Sequence, residues 1–157
     1  HDPLLACLVE LTRLHGRPST RAALSAGLPL ENGCLTPSLF NRAAARAGLS
    51  SRVVRRPLAK IDEALLPVIL LLKGDEACVL LGWERRDDGT AQARLLFPET
   101  GQGEITVTRE DLAARYLGIA VFATAVASTG TVVLFAVQWA FIVTAALYAY
   151  AEVVIRR

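Results

Sequence analysis

Histidine and cysteine are scarce in this chain, at 2 and 3 of 157 residues. Cys7, Cys34 and Cys78 stand in three separate apolar neighbourhoods with no C-x-x-C pair, so neither a zinc site nor a disulfide framework is expected. An excess of one charge sign is missing too. Lysine and arginine number 17 against 15 for aspartate and glutamate, and a net charge of +2 leaves no electrostatic footprint for nucleic acid. There is no G-x-x-x-x-G-K-[ST] phosphate loop, which excludes ATP binding by these residues. Low-complexity tracts and internal repeats are absent, and the N-terminus lacks the basic, apolar and small-residue order of a secretory signal, which places the first part of the chain in the cytoplasm.

Apolar residues, by contrast, are abundant at 53%, and they are concentrated toward the C-terminus. From Tyr116 to Ala151 no Asp, Glu, Lys or Arg occurs, and Val132–Ala151 offers about 20 residues, the length a helix needs to cross the hydrocarbon layer. Ser128, Thr129 and Gly130 are the break before that stretch. The organisation expected is a domain over 1–126, a short linker over 127–130 and a candidate transmembrane helix over 131–157. Tyr148 and Tyr150 lie near the end of the apolar stretch, where an interfacial belt would be, followed by Glu152, Arg156 and Arg157.

The domain itself begins with helical signals. Asp2 can cap a helix with Pro3 in its first position, and Leu4, Leu8, Leu11 and Leu14 recur at helical spacing before Gly16 and Pro18 end it. A shorter helix is expected from Ser19 to Ala26, and a third after Thr36 as cap and Pro37, with Leu39, Phe40, Ala43, Ala44 and Ala47 inward and Gly48 as terminator. The pattern then changes. SRVVRR reads as a short strand, and LPVILLLKGDEACVLLGWERRDDGTAQARLLF as three strands joined by turns at KGDE and RDDG. The unbroken run Val68–Leu72 suits a central strand buried on both faces, a helical turn capped by Thr108 follows, and Ile119–Ala123 reads as an edge strand. Helices first and an antiparallel sheet afterwards define an α+β fold.

A cysteine near the start of a helix raises the question of nucleophilic chemistry. Cys7 lies about one turn deeper than the first-turn amides that stabilise a thiolate, and His15 is roughly 12 Å further along the same helix by the rise per residue. The two cannot form a dyad, and Cys7 is expected to be a small buried hydrophobe. Glu10, at i+3 from Cys7, is expected to be exposed.

The opening DPLLACL resembles the Asp-Cys-Gly-x-Ala-Cys-Leu motif of the papain-like, bacteriocin-processing peptidase domains at the N-terminus of certain ABC exporters. Asp2, Ala6, Cys7 and Leu8 match it, while Pro3 stands where the nucleophilic cysteine would be and Leu4 where the glycine would be. In that family the histidine follows a Leu-Pro-Ala-Ile strand, at the head of the next one. LPVILLLKGDEACVLL has the same shape and puts Ala77, or Glu76 with a shorter turn, at that position. The family's orienting aspartate lies in an Asp-Pro-x-x-Gly turn whose counterpart FPETG puts Phe97 in its place. The resemblance therefore implies a papain-like fold whose triad positions are held by Pro3, Ala77 and Phe97, and a chain that is not an enzyme. It is similar to the peptidase-like domains of type I secretion exporters, and LTPSLFNRAAARAGL, RRPL and ACVLL look most like exporters of giant surface adhesins.

That resemblance implies a substrate-recruitment domain binding an unfolded repeat protein, toxin or adhesin, for export, with no cofactor of its own and ATP bound by the nucleotide-binding domain of the full exporter. The expected partners are the secreted protein, the rest of the exporter and the inner membrane, with the domain on its cytoplasmic side. Two alternatives stand beside it: a cysteine peptidase that uses Cys7 to cleave double-glycine leaders, and a small membrane-anchored interaction protein. Trp83, Arg85 and Arg86 are the candidates for receiving a client by stacking and charge, against a reading as a solvated strand end. Arg52, Arg55 and Arg56 could bind an acidic polypeptide or form the wet face of an edge strand.

Overall fold

The computed structural model describes residues 1–126 and 139–156 in full and the backbone of residues 129–138. It divides into two units, residues 1–125 and 126–157. The linker expected over 127–130 lies partly outside the described residues.

In the first unit the capping signals produce the helices they announce. Helix α1 runs Pro3–Leu14, with Pro3 in its first position and the Asp2 carboxylate accepting the Leu5 N–H at 3.2 Å. Helix α2, Arg21–Ser25, is capped by the Thr20 hydroxyl, which accepts the Ala23 N–H at 3.1 Å. Helix α3 spans Pro37–Ala45, but Thr36 makes no capping bond; its hydroxyl meets that of Ser38 instead, at 3.0 Å. Helix α4, Arg109–Arg115, is capped by Thr108, which accepts the Asp111 N–H.

Six strands form one antiparallel sheet: β1 Leu49–Arg55, β2 Val68–Leu72, β3 Glu76–Arg85, β4 Ala91–Phe97, β5 Gln102–Thr108 and β6 Tyr116–Ala125. Their order across the sheet is β1-β6-β2-β3-β4-β5. Residues 119–123 are thus not an edge. They lie inside β6, between β1 and β2, with Phe122 opposite Arg52 and Ala120 opposite Leu70. Their apolar composition fits that interior place; the pairing is long-range and chain order does not reveal it. Strand β5 was not foreseen, since QGEITVT has a weak alternation that follows a turn and precedes a helix cap.

Side-chain alternation splits the core in two. On one face Leu49, Ile69, Ala77, Val79, Val121 and Ala123 pack under α1, α2 and α3, against Cys7, Leu8, Leu11, Leu24 and Phe40. On the other, Val68, Leu70, Leu72, Cys78, Leu80 and Leu95 meet Leu112 of α4 and the short turns carrying Leu58 and Ile61. Strand β2 supplies both layers, which is why its sequence is an unbroken apolar run.

The second unit is helix α5, Thr129–Ile155. Trp139, Phe141, Leu147, Tyr148 and Ile155 are exposed on it. Among the described residues no helix is long and apolar enough to cross a membrane. The transmembrane helix expected over 131–157 is therefore not supported, and its first residues, up to 138, are described in backbone only.

Candidate functional site

The start of α1 is tied down from three directions. Asp2 is buried, and besides capping Leu5 its second carboxylate oxygen accepts the Leu35 N–H at 2.8 Å. Its own N–H donates to Glu99 in the turn after β4, at 3.2 Å. Glu99 in turn accepts from the Arg21 guanidinium of α2 at 2.7 Å. That bond is the main reason the Glu99 carboxyl lies below the usual carboxylate range; partial burial pulls the other way and the Asp2 amide adds to the lowering. The turn is closed by Gly101, whose φ of 68° suits glycine.

Beside this junction is a cleft of about 440 Å³, formed by the start of α1, the loop before α3, the β2–β3 turn and Leu117 of β6. Asp2, Glu31, Asp75 and Glu76 all line it, as does His1. The His1 imidazole has Nε2 at 3.7 Å from Glu76 and Nδ1 at 3.4 Å from Glu99. Cys34 also lines the cleft, its thiol donating to the His1 carbonyl at 3.2 Å.

Pro3 and Ala77, which the resemblance puts at the nucleophile and histidine positions, line this same cleft. Phe97 does not: it lines a small pocket under α4 with Leu72, Leu95 and Leu112, its ring 5.5 Å from the Arg115 guanidinium. Two residues further along, Glu99 is the member of FPETG that reaches the junction.

Cys7 is fully buried against the sheet. Burial pushes its thiol well above the ordinary value, and nearby Cys78, Glu99, Glu10 and Asp2 push it the same way. Cys78, on the opposite face of β3, is pushed up to about 12, again mainly by burial. His15 follows the end of α1, its Nε2 buried without a hydrogen-bond partner. All three cysteines are free. Among the described residues no group of three or more His, Cys, Asp or Glu is placed to hold a metal ion.

Trp83 and Arg85 fall toward the far end of β3 from Ala77 and Arg86 just beyond it, roughly 20–30 Å from Ala77 by the rise of a strand. The Trp83 ring already carries the Arg109 guanidinium at 5.3 Å. Arg85 is exposed, and Arg86 donates its N–H to the Thr90 carbonyl within the hairpin turn. Sequence reasoning missed Glu31, Asp75 and Leu117 in the lining of the cleft, and Glu99 and Arg21 at the junction beside it; they come from five separate elements, and no local pattern joins them.

A fold of this order, with a cleft at the N-terminus of its first helix, is a peptidase-type domain by comparison with solved structures. The crystal structure of the N-terminal peptidase C39 like domain of the toxin secretion ATP-binding protein from Vibrio parahaemolyticus matches at 39% identity with a TM-score of 0.72, over 80% of this chain and 98% of that one. The chain belongs to this peptidase C39 like domain family. A double glycine motif protease from an AMS/PCAT transporter, in complex with the leader peptide, matches at 15% identity and a TM-score of 0.63, over 78% of this chain and 83% of that one. The peptidase domain of Streptococcus ComA, a bi-functional ABC transporter of a quorum sensing pathway, matches at 17% and 0.66, over 79% and 91%. At those identities the last two show the fold alone. No protein-family profile and no curated protein matches the chain.

These neighbours correct one expectation. The chain was expected not to be an enzyme because of its residues at three aligned positions, yet the structures that share its fold are a peptidase C39 like domain, a double glycine motif protease and a peptidase domain, which point to a peptidase.

Proposed function

We propose that this domain belongs to a type I secretion ABC exporter on the cytoplasmic side of the inner membrane, and that it receives an unfolded segment of the exported protein, a large repeat-containing toxin or adhesin. The observation that carries the reading is the cleft at the start of α1, open and lined by residues from separate elements, in a domain 39% identical to one from a toxin secretion ATP-binding protein. An extended segment fits such a cleft because its amides and carbonyls seek partners along the strands and loops, while apolar lining residues such as Leu117 select side chains. Unfolded polypeptide is the state that offers those groups.

The test is retention of the unfolded C-terminal region of the exported protein on the immobilised chain. Wild type should retain it, and Leu117→Glu, a change at a half-exposed cleft residue, should weaken retention. No retention by wild type overturns the reading. A second reading, processing of a double-glycine leader, is favoured by the peptidase descriptions of the neighbours. Mass spectrometry of an incubated leader peptide separates the two. A cut product that disappears in Cys7→Ala assigns cleavage to Cys7, whereas a bound and uncut peptide assigns holding alone.

A further inference from the structure

Strand β1 is one edge of the sheet. Its amides alternate in direction. The Arg56 N–H, just beyond the strand, donates to the Gly118 carbonyl at the start of β6, so the even-numbered amides turn inward, toward β6. The Ser51 N–H turns the other way, onto the Asn41 side chain at 3.1 Å. By the same alternation the amides of Val53 and Arg55 face outward, on the side where the sheet has no further strand among the described residues. Val53 is 43% exposed and Arg55 is exposed.

The charge along this edge has one sign. Arg52, Arg55 and Arg56 make no ion pair among the described residues. The Arg56 guanidinium rests on the Phe122 ring at 5.2 Å, and its carbonyl accepts the Tyr116 hydroxyl at 2.5 Å, which fixes the end of the edge. Arg52 lies directly across from Phe122 in the sheet register. Arg52 and Arg56 belong to the face shared with Val54, and Arg55 to the opposite face, so an incoming strand meets a cation on both of its sides.

We infer that the β1 edge is a strand-addition site for an acidic, extended polypeptide segment, with the outward amides of Val53 and Arg55 supplying the main-chain bonds and Arg52, Arg55 and Arg56 selecting carboxylates. This goes beyond the cleft described above and rests on the reading that the domain meets unfolded polypeptide. Arginines on an edge can also serve to prevent pairing. The two roles differ in what they do with an acidic strand.

The probe is a short labelled peptide alternating valine or threonine with aspartate, compared with the same peptide carrying lysine in place of aspartate, titrated against the full chain by fluorescence anisotropy. The acidic peptide should bind and the basic one should not. Arg52→Glu with Arg55→Glu should weaken the acidic peptide about tenfold or more, since each exposed charge pair is reversed and not merely removed. Val53→Pro deletes an outward amide at a position where an edge strand tolerates proline, and should weaken binding with the arginines intact. Amide hydrogen exchange supplies a readout that charge attraction alone would not move: the Val53 and Arg55 amides should become protected when the acidic peptide is present. Equal binding of both peptides, unchanged exchange at these amides, or a charge-reversed chain that self-associates while wild type binds no peptide would overturn the inference. If the exported polypeptide is retained but is indifferent to the β1 variants, this edge is excluded and the cleft reading stands; if wild type retains no polypeptide at all, the cleft reading itself fails.

Discussion

Replacing Asp2 by alanine attacks the junction on which the cleft is built. Asp2 is buried, and its two carboxylate oxygens satisfy two amides from different elements, Leu5 in α1 and Leu35 in the loop before α3. Loss of the cap alone typically costs about 1 kcal/mol. Leu35 is 5% exposed, so water does not readily replace the lost acceptor, and an unsatisfied buried amide adds about 1–3 kcal/mol. The sum is about 2–4 kcal/mol, a substantial part of the 5–15 kcal/mol that usually holds a domain together. In urea, with a slope of about 1–3 kcal/mol per molar, the midpoint should fall by roughly 1–2 M. Asp2→Asn keeps one acceptor oxygen and should lose about half as much. Circular dichroism through a urea series reads both variants. A midpoint for Asp2→Ala within error of wild type would refute the claim that this carboxylate holds α1 and the Leu35 loop together.

Thiol labelling at pH 8 should find one fast cysteine, Cys34, because Cys7 and Cys78 are buried and their thiols are held protonated above the ordinary cysteine range; labelling of all three at one rate in the native chain contradicts this. The lowered Glu99 carboxyl stabilises the fold at pH values above its unfolded value of about 4.3, and that contribution disappears as pH falls through the lower native value. Thermal melts from pH 6 down to pH 3 should therefore show a smaller acid loss for Glu99→Gln than for wild type. Phe40→Ala removes the largest fully buried side chain and should destabilise by about 3–5 kcal/mol in the same urea assay. Gly48→Ala places a side chain at φ 73°, where its Cβ would also displace the Arg17 guanidinium, and should cost about 1 kcal/mol.

The helices were legible because their signals are local. Asp2-Pro3 and Thr108 each sit within three residues of the amide they accept from, so the sequence and the bond are one pattern. The β2–β3–β4 meander was legible for the same reason, as tight turns join strands adjacent in the chain. Strand β6 was misplaced because it inserts between β1 and β2, and nothing near Tyr116–Ala125 encodes partners about 44 to 76 residues away in the chain. The site followed the same division. The resemblance of DPLLACL and LPVILLLKGDEACVLL pointed to Pro3 and Ala77, which do share a cleft, while the link from Glu99 to Asp2 and Arg21 spans 97 and 78 positions and has no sequence signature.

The most direct test of the central claim, that the domain receives unfolded polypeptide from the exported protein, is calorimetric titration of the chain with that protein in its unfolded and its folded state. The unfolded form should bind saturably and the folded form should not bind. Equal heats for the two forms, or no heat with the unfolded one, would contradict it.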